Sequence, residues 1–278
     1  MKILFIGVFT EGSTNNSQRD CLRSLGHVVH EFPYRSISNF NIELQKIKDY
    51  DIILLSKGNG VSQYTMKKLK ENNKKIIFWF MDPAQTFTSE MAMKTHFSDI
   101  AYFDKIKTLN IAKKFNKNSF YVCEGYDENV DFVQNVKKEY DISFIGNVYG
   151  NRSSVLERLN NVKIISSAYG TQHSIEVGKS RINLNMCTDN CASDRIYKIL
   201  AAGGFLLTDD WEGRELTGLV DGEHLVIYSD VLDLQEKIVY YLKNEKLRNK
   251  ISKQGNNKVK KLTRKEWANE LLLERISR

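Results

Sequence analysis

Two α/β domains, each built on a parallel sheet, are what this sequence predicts, and three observations predict them. Short apolar runs alternate with amphipathic helical patterns from the N-terminus onward, which implies parallel strands joined by crossover connections. A charged, weakly patterned stretch from Asp127 to Tyr140 then interrupts the alternation. Beyond it a fresh apolar strand, Ile142 to Gly146, restarts the pattern, so a second sheet follows the first. With 278 residues and 41% hydrophobic content, the chain is long enough to bury two modest cores.

In the first half, Lys2 to Gly7 reads as a buried strand, followed by the loop VFTEGSTNN and a helix that Thr14, Asn15 or Asn16 would cap. Strands are expected at His27 to Phe32, Asp51 to Leu55 and Lys75 to Met81, the last closed by Asp82-Pro83. A helical turn or two at Ile42 to Ile47 and a lysine-rich helix at Gln63 to Asn72 lie between them. Shorter pieces follow: strand Ile100 to Phe103, a helix around Ile111 to Phe115, and strand Phe120 to Cys123. In the second half the reading is helix Ser153 to Leu159, strands Val162 to Ser166 and Ile182 to Met186, a central helix, and strands Phe205 to Thr208 and His224 to Tyr228. Leu234, Ile238 and Leu242 then mark one helix face, and a last helix spans Arg264 to Ile276 with Trp267, Leu271 and Leu272 on one side.

The stretch SDRIYKILAAGGFLLTDDWEGREL, Ser193 to Leu216, organises the second half. Ile196, Ile199 and Leu200 share a helix face, while Arg195 and Lys198 sit one turn apart on another, and two cations on one face want an anion. Gly203-Gly204 stops the helix and permits close backbone approach. The buried run Phe205-Leu206-Leu207 ends at Thr208-Asp209-Asp210, a ligand rim in an open sheet.

The order R-x-[FY]-x-I-L-A-x-G-G-F-L-L-T-D, here Arg195 to Asp209, resembles the donor-binding segment of the CgeB-like (spore maturation protein) family of glycosyltransferases. The likeness extends to ISFIGNVYGNR (Ile142 to Arg152), KSRINLNM (Lys179 to Met186) and DGEHLVIYSD (Asp221 to Asp230). It implies a GT-B-like fold of two Rossmann-like domains whose parallel sheets face a cleft. Residues 1–130 would hold the acceptor, residues 131–261 would bind the nucleotide-sugar donor, and residues 262–278 would pack back on the first domain.

A nucleotide sugar, UDP-linked or on another nucleoside diphosphate, would then be co-substrate, with no cofactor or metal required. The leaving phosphate gains charge that cations, amides or a helix N-terminus must stabilise. Arg195 suits that work because guanidinium forks two phosphate oxygens and stays charged. Gly146 and Asn147, ending a strand, and Arg152 just beyond complete the expected phosphate side, with Lys198, Gly203, Gly204 and Asp209 around it. Tyr197 or Tyr149 would stack on the base. Relatives carry Glu where this chain has Lys198, and in an E-x7-E pattern the aligned positions are Asn190 and Lys198. Since an ammonium cannot accept a hydrogen bond, three outcomes stand open. Glu212 or Glu215 holds the ribose, Lys198 takes a phosphate, or the site is a silent binding site. On the acceptor side, Asp82 and Glu11 are the candidates for the base that takes the hydroxyl proton.

Composition limits the remainder. Cys21, Cys123, Cys187 and Cys191 form no C-x-x-C and have no nearby histidine pair, so reduced thiols of a cytoplasmic protein are expected. No signal-peptide pattern or membrane-length apolar run occurs. The net charge of +7 belongs to the end of the chain, where Lys243 to Arg278 carries twelve Lys or Arg against four Glu. That segment suits solvated helices or an anionic partner, a membrane or a nucleic acid, and the latter admits a transferase acting on modified bases. Trp267 is its one aromatic, a poor basis for stacking on single strands.

Overall fold

The structure, a computed structural model, describes residues 1–273. Its strands are β1 (Lys2–Gly7), β2 (Val28–Pro33), β3 (Ile52–Ser56), β4 (Ile76–Phe80), β5 (Ile100–Phe103), β6 (Ser119–Tyr121), β7 (Tyr140–Ile145), β8 (Val162–Ile165), β9 (Ser180–Asn185), β10 (Leu206–Thr208) and β11 (Val226–Ile227). Its helices are α1 (Thr14–Ser24), α2 (Phe40–Gln45), α3 (Gln63–Asn72), α4 (Ser89–Phe97), α5 (Ile106–Ala112), α6 (Asn151–Leu156), α7 (Thr171–Lys179), α8 (Asp194–Ala201), α9 (Arg214–Thr217), α10 (Val231–Lys243), α11 (Glu245–Val259) and α12 (Arg264–Leu272). The chain forms two compact units, Met1–Glu124 with Arg264 onward, and Gly125–Thr263.

In the first unit six strands form one sheet in the order β2-β1-β3-β4-β5-β6, every neighbouring pair parallel. Strands β3 and β4, IILLS and IIFWF, are buried at every position because helices cover both faces. One face packs Ile6, Leu55, Phe78 and Phe103 against Leu44, Met66 and Leu109 of the neighbouring helices. The other packs Ile3, Phe5, Leu54 and Trp79 against Leu22 of α1 and against α12. Here Trp267 meets Trp79 edge-on at 5.8 Å between ring centroids, and the Tyr102 hydroxyl donates to the Glu270 carbonyl at 2.9 Å. The end of the chain thus completes the core of its beginning.

The second unit holds five strands in the order β11-β10-β9-β7-β8, again all parallel. Phe144, Ile182, Leu184 and Leu207 form its centre with Leu234 and Ile238 of α10. Gly204 is packed so tightly that a Cβ there would lie 2.6 Å from Val177 Cγ1 and 2.9 Å from Ile199 Cγ2, so a glycine is what lets α8 turn back onto its own sheet.

Several local expectations are corrected. Ser13, ahead of the three residues expected, caps α1: its Oγ accepts from Asn15 N at 3.4 Å and donates to the Val8 carbonyl at 2.6 Å. Asn15 instead turns inward, receiving Val8 N at 2.9 Å and donating to Gln18 and Ser56. The helix expected around Ile111 to Phe115 begins five residues earlier, at Ile106. Helices α4 and α7 lack a clean apolar stripe in the sequence, and polar groups such as Lys94, Thr95, His173 and Ser174 are buried in them. α12 ends at Leu272, and residues 274–276 of the helix expected to Ile276 lie outside the described residues.

Trp267 is 1% exposed, so Trp267→Ala should destabilise the first unit by about 3 to 5 kcal/mol. Urea unfolding followed by circular dichroism measures this, and a change within error of zero would mean that α12 does not hold the core.

Candidate functional site

In parallel sheets, ligand-binding groups gather where strands end and crossover helices begin. In the second unit that edge is formed by the residues after β7, β9 and β10. β7 ends at Ile145 and the chain turns through Gly146 at φ 141°, a conformation closed to most side chains. A Cβ on Gly146 would collide with the Arg195 guanidinium, so the glycine is what makes room for it. Arg195, in the first turn of α8, donates from Nη1 to Asn185 Oδ1 at 3.0 Å and lies 4.9 Å above the Phe144 ring. Its pKa is lowered to about 10, first by burial and then by the neighbouring Arg152.

Arg152 is no surface residue of its helix: it is 3% exposed. Its Nη1 donates to the Asn147 carbonyl at 3.0 Å, and its Nη2 donates to the Met186 carbonyl at 3.0 Å and to Thr188 Oγ1 at 3.2 Å. The guanidinium also lies 4.2 Å over Tyr149, while its buried Nε has no partner. Two arginines are therefore held against one another by neutral acceptors and aromatic faces. The first-turn amides of α8, with the positive end of its dipole, adjoin them. Such an arrangement is built to receive an anion.

Beside the arginines a cavity of about 780 Å³ is lined by Asp189, Asp209, Asp210, Asp221 and Asp233, with Lys237 the cation among them. Asn190 lines it too, at φ 59°, whereas Glu212 and Glu215 are not among its lining residues. Asp209 accepts the Cys187 backbone N–H at 2.7 Å, which fixes the turn after β9 against the end of β10, and burial raises its pKa. Burial likewise pushes the Cys187 thiol well up, so that cysteine is an inert member of the wall.

The remaining expected residues lie elsewhere. Gly203 and Gly204 follow the last turn of α8, at the edge where β10 starts, because a crossover helix carries the chain from one sheet edge to the other. They are packing residues, removed from the arginines by the length of α8. Lys198 Nζ pairs with Asp194 at 2.6 Å along the helix instead of joining Arg195. Tyr197 is 3% exposed, beside Ile196 in the chain, whereas Tyr149 is open to solvent, 53% exposed.

In the first unit three adjacent strands each deliver a carboxylate at the same edge: Asp82 after β4, Asp104 after β5 and Glu124 after β6. Asp82 pairs with Lys57 at 2.7 Å. Glu11, on the exposed loop after β1, lines a cavity of about 330 Å³ together with Arg35, Lys57 and Glu124. Sequence reasoning missed Asp104 and Glu124, although a carboxylate placed just after a buried strand, as in IAYFD, was the available signal. Asp104 is bonded to Lys105, and its pKa is pushed up to about 7 by burial, with Glu124 and Asp82 adding repulsion and Lys105 opposing. Among the described residues no three His, Cys, Asp or Glu side chains are grouped to hold a metal ion, and no helix is long and apolar enough to cross a membrane.

The family described as Glycosyl transferase-like matches residues 128–272. No curated protein matches the sequence. Among solved structures, HepE from Anabaena in complex with UDP and glucose aligns with a TM-score of 0.71 at 11% identity, over 98% of each chain. A glycosyltransferase from Rickettsia africae ESF-5 gives 0.70 at 12% identity, over 98% of this chain and 99% of that one. Sucrose-phosphate synthase from Thermosynechococcus elongatus gives 0.69 at 9% identity, over 97% of each. At these identities the likeness establishes the fold, an α/β fold of two parallel sheets of the GT-B class.

The raised Asp104 pKa carries a sign. Between the ordinary value of 3.8 and about 7 the folded protein keeps a proton that the unfolded chain has lost. Stability should therefore fall as pH rises through that window. Asp104→Asn should flatten this fall in the melting temperature measured across the same range, and an identical slope in both proteins would refute the assignment.

Proposed function

Since the chain belongs to the Glycosyl transferase-like family, we propose that it moves a sugar from a nucleoside-diphosphate donor to an acceptor hydroxyl. The observation that carries this reading is the Arg152–Arg195 pair, enclosed under Gly146 with no carboxylate hydrogen-bonded to either among the described residues. HepE, of the same fold, is described in complex with UDP-glucose, which supports a UDP-linked donor here. The motif from Arg195 to Asp209 supports placing the chain among the CgeB-like members.

In this scheme the donor diphosphate lies against the arginines, and the hydroxyl-rich sugar or ribose lies in the aspartate-lined cavity. Charge dictates that division, since carboxylates accept hydrogen bonds from hydroxyls and repel phosphate. Asp209 and Asp210 then take the ribose-binding part that Lys198 cannot. The acceptor oxygen attacks the anomeric carbon while the bond to the diphosphate breaks and its electrons pass to the leaving phosphate. Arg195 stabilises that charge, with Arg152 fixing the loop above it. Asp82 or Glu11 receives the acceptor proton. Arginines and amides can do the phosphate work, so the scheme calls for no metal.

A thermal-shift series with UDP, GDP, ADP, CMP and dTDP tests the donor class, because a ligand of the folded state raises its melting temperature. UDP should give the largest shift, and no shift with any nucleotide would remove the proposal. Arg195→Ala should weaken the preferred nucleotide about ten- to a hundredfold without loss of fold, and unchanged affinity would exclude Arg195 from the site. Asp82→Asn should lower turnover about a hundredfold or more at unaltered donor affinity, whereas a fully active variant would transfer the role to Glu11.

A further inference from the structure

The edge of the second sheet where β9 and β10 begin carries a different feature. Lys138, Arg181, Arg248 and Lys253 line a cavity of about 370 Å³ whose wall Gly203 and Phe205 complete. Arg181 stands four residues before Asn185 on β9, about 13 Å along the strand, so this cavity is separate from the Arg152–Arg195 pair.

Two of its cations, Arg248 and Lys138, are anchored on backbone carbonyls, and Arg181 is paired with the Asp141 carboxylate. Arg248 is 5% exposed, and its Nη1 donates to the Tyr241 carbonyl at 2.5 Å and the Leu242 carbonyl at 3.3 Å, at the end of α10. Lys138 turns its ammonium inward onto the Ser180 carbonyl at 2.6 Å. Arg181 spends one nitrogen on Asp141, at 2.5 Å. Each side chain is thus fixed through one nitrogen or one proton and keeps further N–H donors. Asp141 and Glu245 are the carboxylates acting on Arg248, while Arg181 opposes them. Burial lowers the pKa of Lys138, and the nearby Arg248 and Arg181 lower it further. Like charges held together in this way favour an anion that bridges them.

We propose that this cavity is a binding site for a phosphoryl group, separate from any donor site. Two guanidinium groups supply planar forks for phosphate oxygens and two ammonium groups supply point charges. The cations converge on one pocket instead of forming a stripe, which suits a single head group and not a polymer backbone. Two of them, Arg248 and Lys253, come from α11, so part of the basic end of the chain acquires a role here.

Calorimetric titration of the full chain with inorganic phosphate tests the site, using Arg195→Ala as background to remove the other anion-binding edge. The background variant should retain one phosphate site. Adding Lys138→Met and Arg181→Met should weaken it about tenfold or more, while Lys138→Arg should preserve it. Both side chains are partly open to solvent, so the variants should fold, and their melting curves check this. Loss of all phosphate binding in Arg195→Ala alone, or unchanged affinity after the added substitutions, would overturn the proposal. Co-sedimentation with phosphatidylcholine vesicles containing phosphatidate separates two sources of the same chemistry. Vesicle binding that Lys138→Met with Arg181→Met abolishes identifies a lipid head group, and phosphate binding without sedimentation identifies a soluble phosphorylated compound.

Discussion

Strands β3 and β4 are buried at every position, so neither face of the first sheet's centre can carry a charged group without a large desolvation penalty. Polar chemistry is pushed to the points where strands stop. Asp82, Asp104 and Glu124 all appear within three residues of a strand end, and Arg195 and Asp209 occupy the matching edge of the second sheet. Parallel pairing brings those ends to one side of each sheet, because every crossover returns the chain before the next strand begins. The sites follow from that constraint.

Buried cations show how the constraint is met in the second unit. Arg152 and Arg195 have neutral partners, the Asn147 and Met186 carbonyls and Asn185 Oδ1, together with the Phe144 and Tyr149 rings. Neutral acceptors fix a guanidinium without cancelling its field, which leaves the charge available to a ligand. Arg248 and Lys138 repeat the arrangement at the other edge, again on backbone carbonyls. The sheet thus carries an electropositive cluster at each end, and the aspartates around the larger cavity lie beside only the first of them.

Lys198 shows why identity at a motif position is an incomplete guide. In the sequence it is one turn from Arg195 and counts as a second phosphate ligand. In the fold it bonds Asp194 along the helix, since an i,i+4 pair is the nearer and less costly partner. Gly203 and Gly204 belong to the same motif yet serve packing, with Val133 and Val177 against the places their side chains would fill.

The parallel α/β class was already legible in the chain, because runs such as IIFWF and IILLS, separated by helical patterns, read as doubly covered strands. Arg195 was legible as well, as a cation at the start of an amphipathic helix that precedes a buried strand. Which residues meet is set by the packing of distant elements. Gly146 faces Arg195 across 49 positions, Arg152 reaches Met186 across 34, and Arg181 and Arg248 line one cavity from β9 and α11. Periodicity reports which way a residue points within its own element. Convergence between elements depends on strand order and on where each helix ends, and local patterning carries neither.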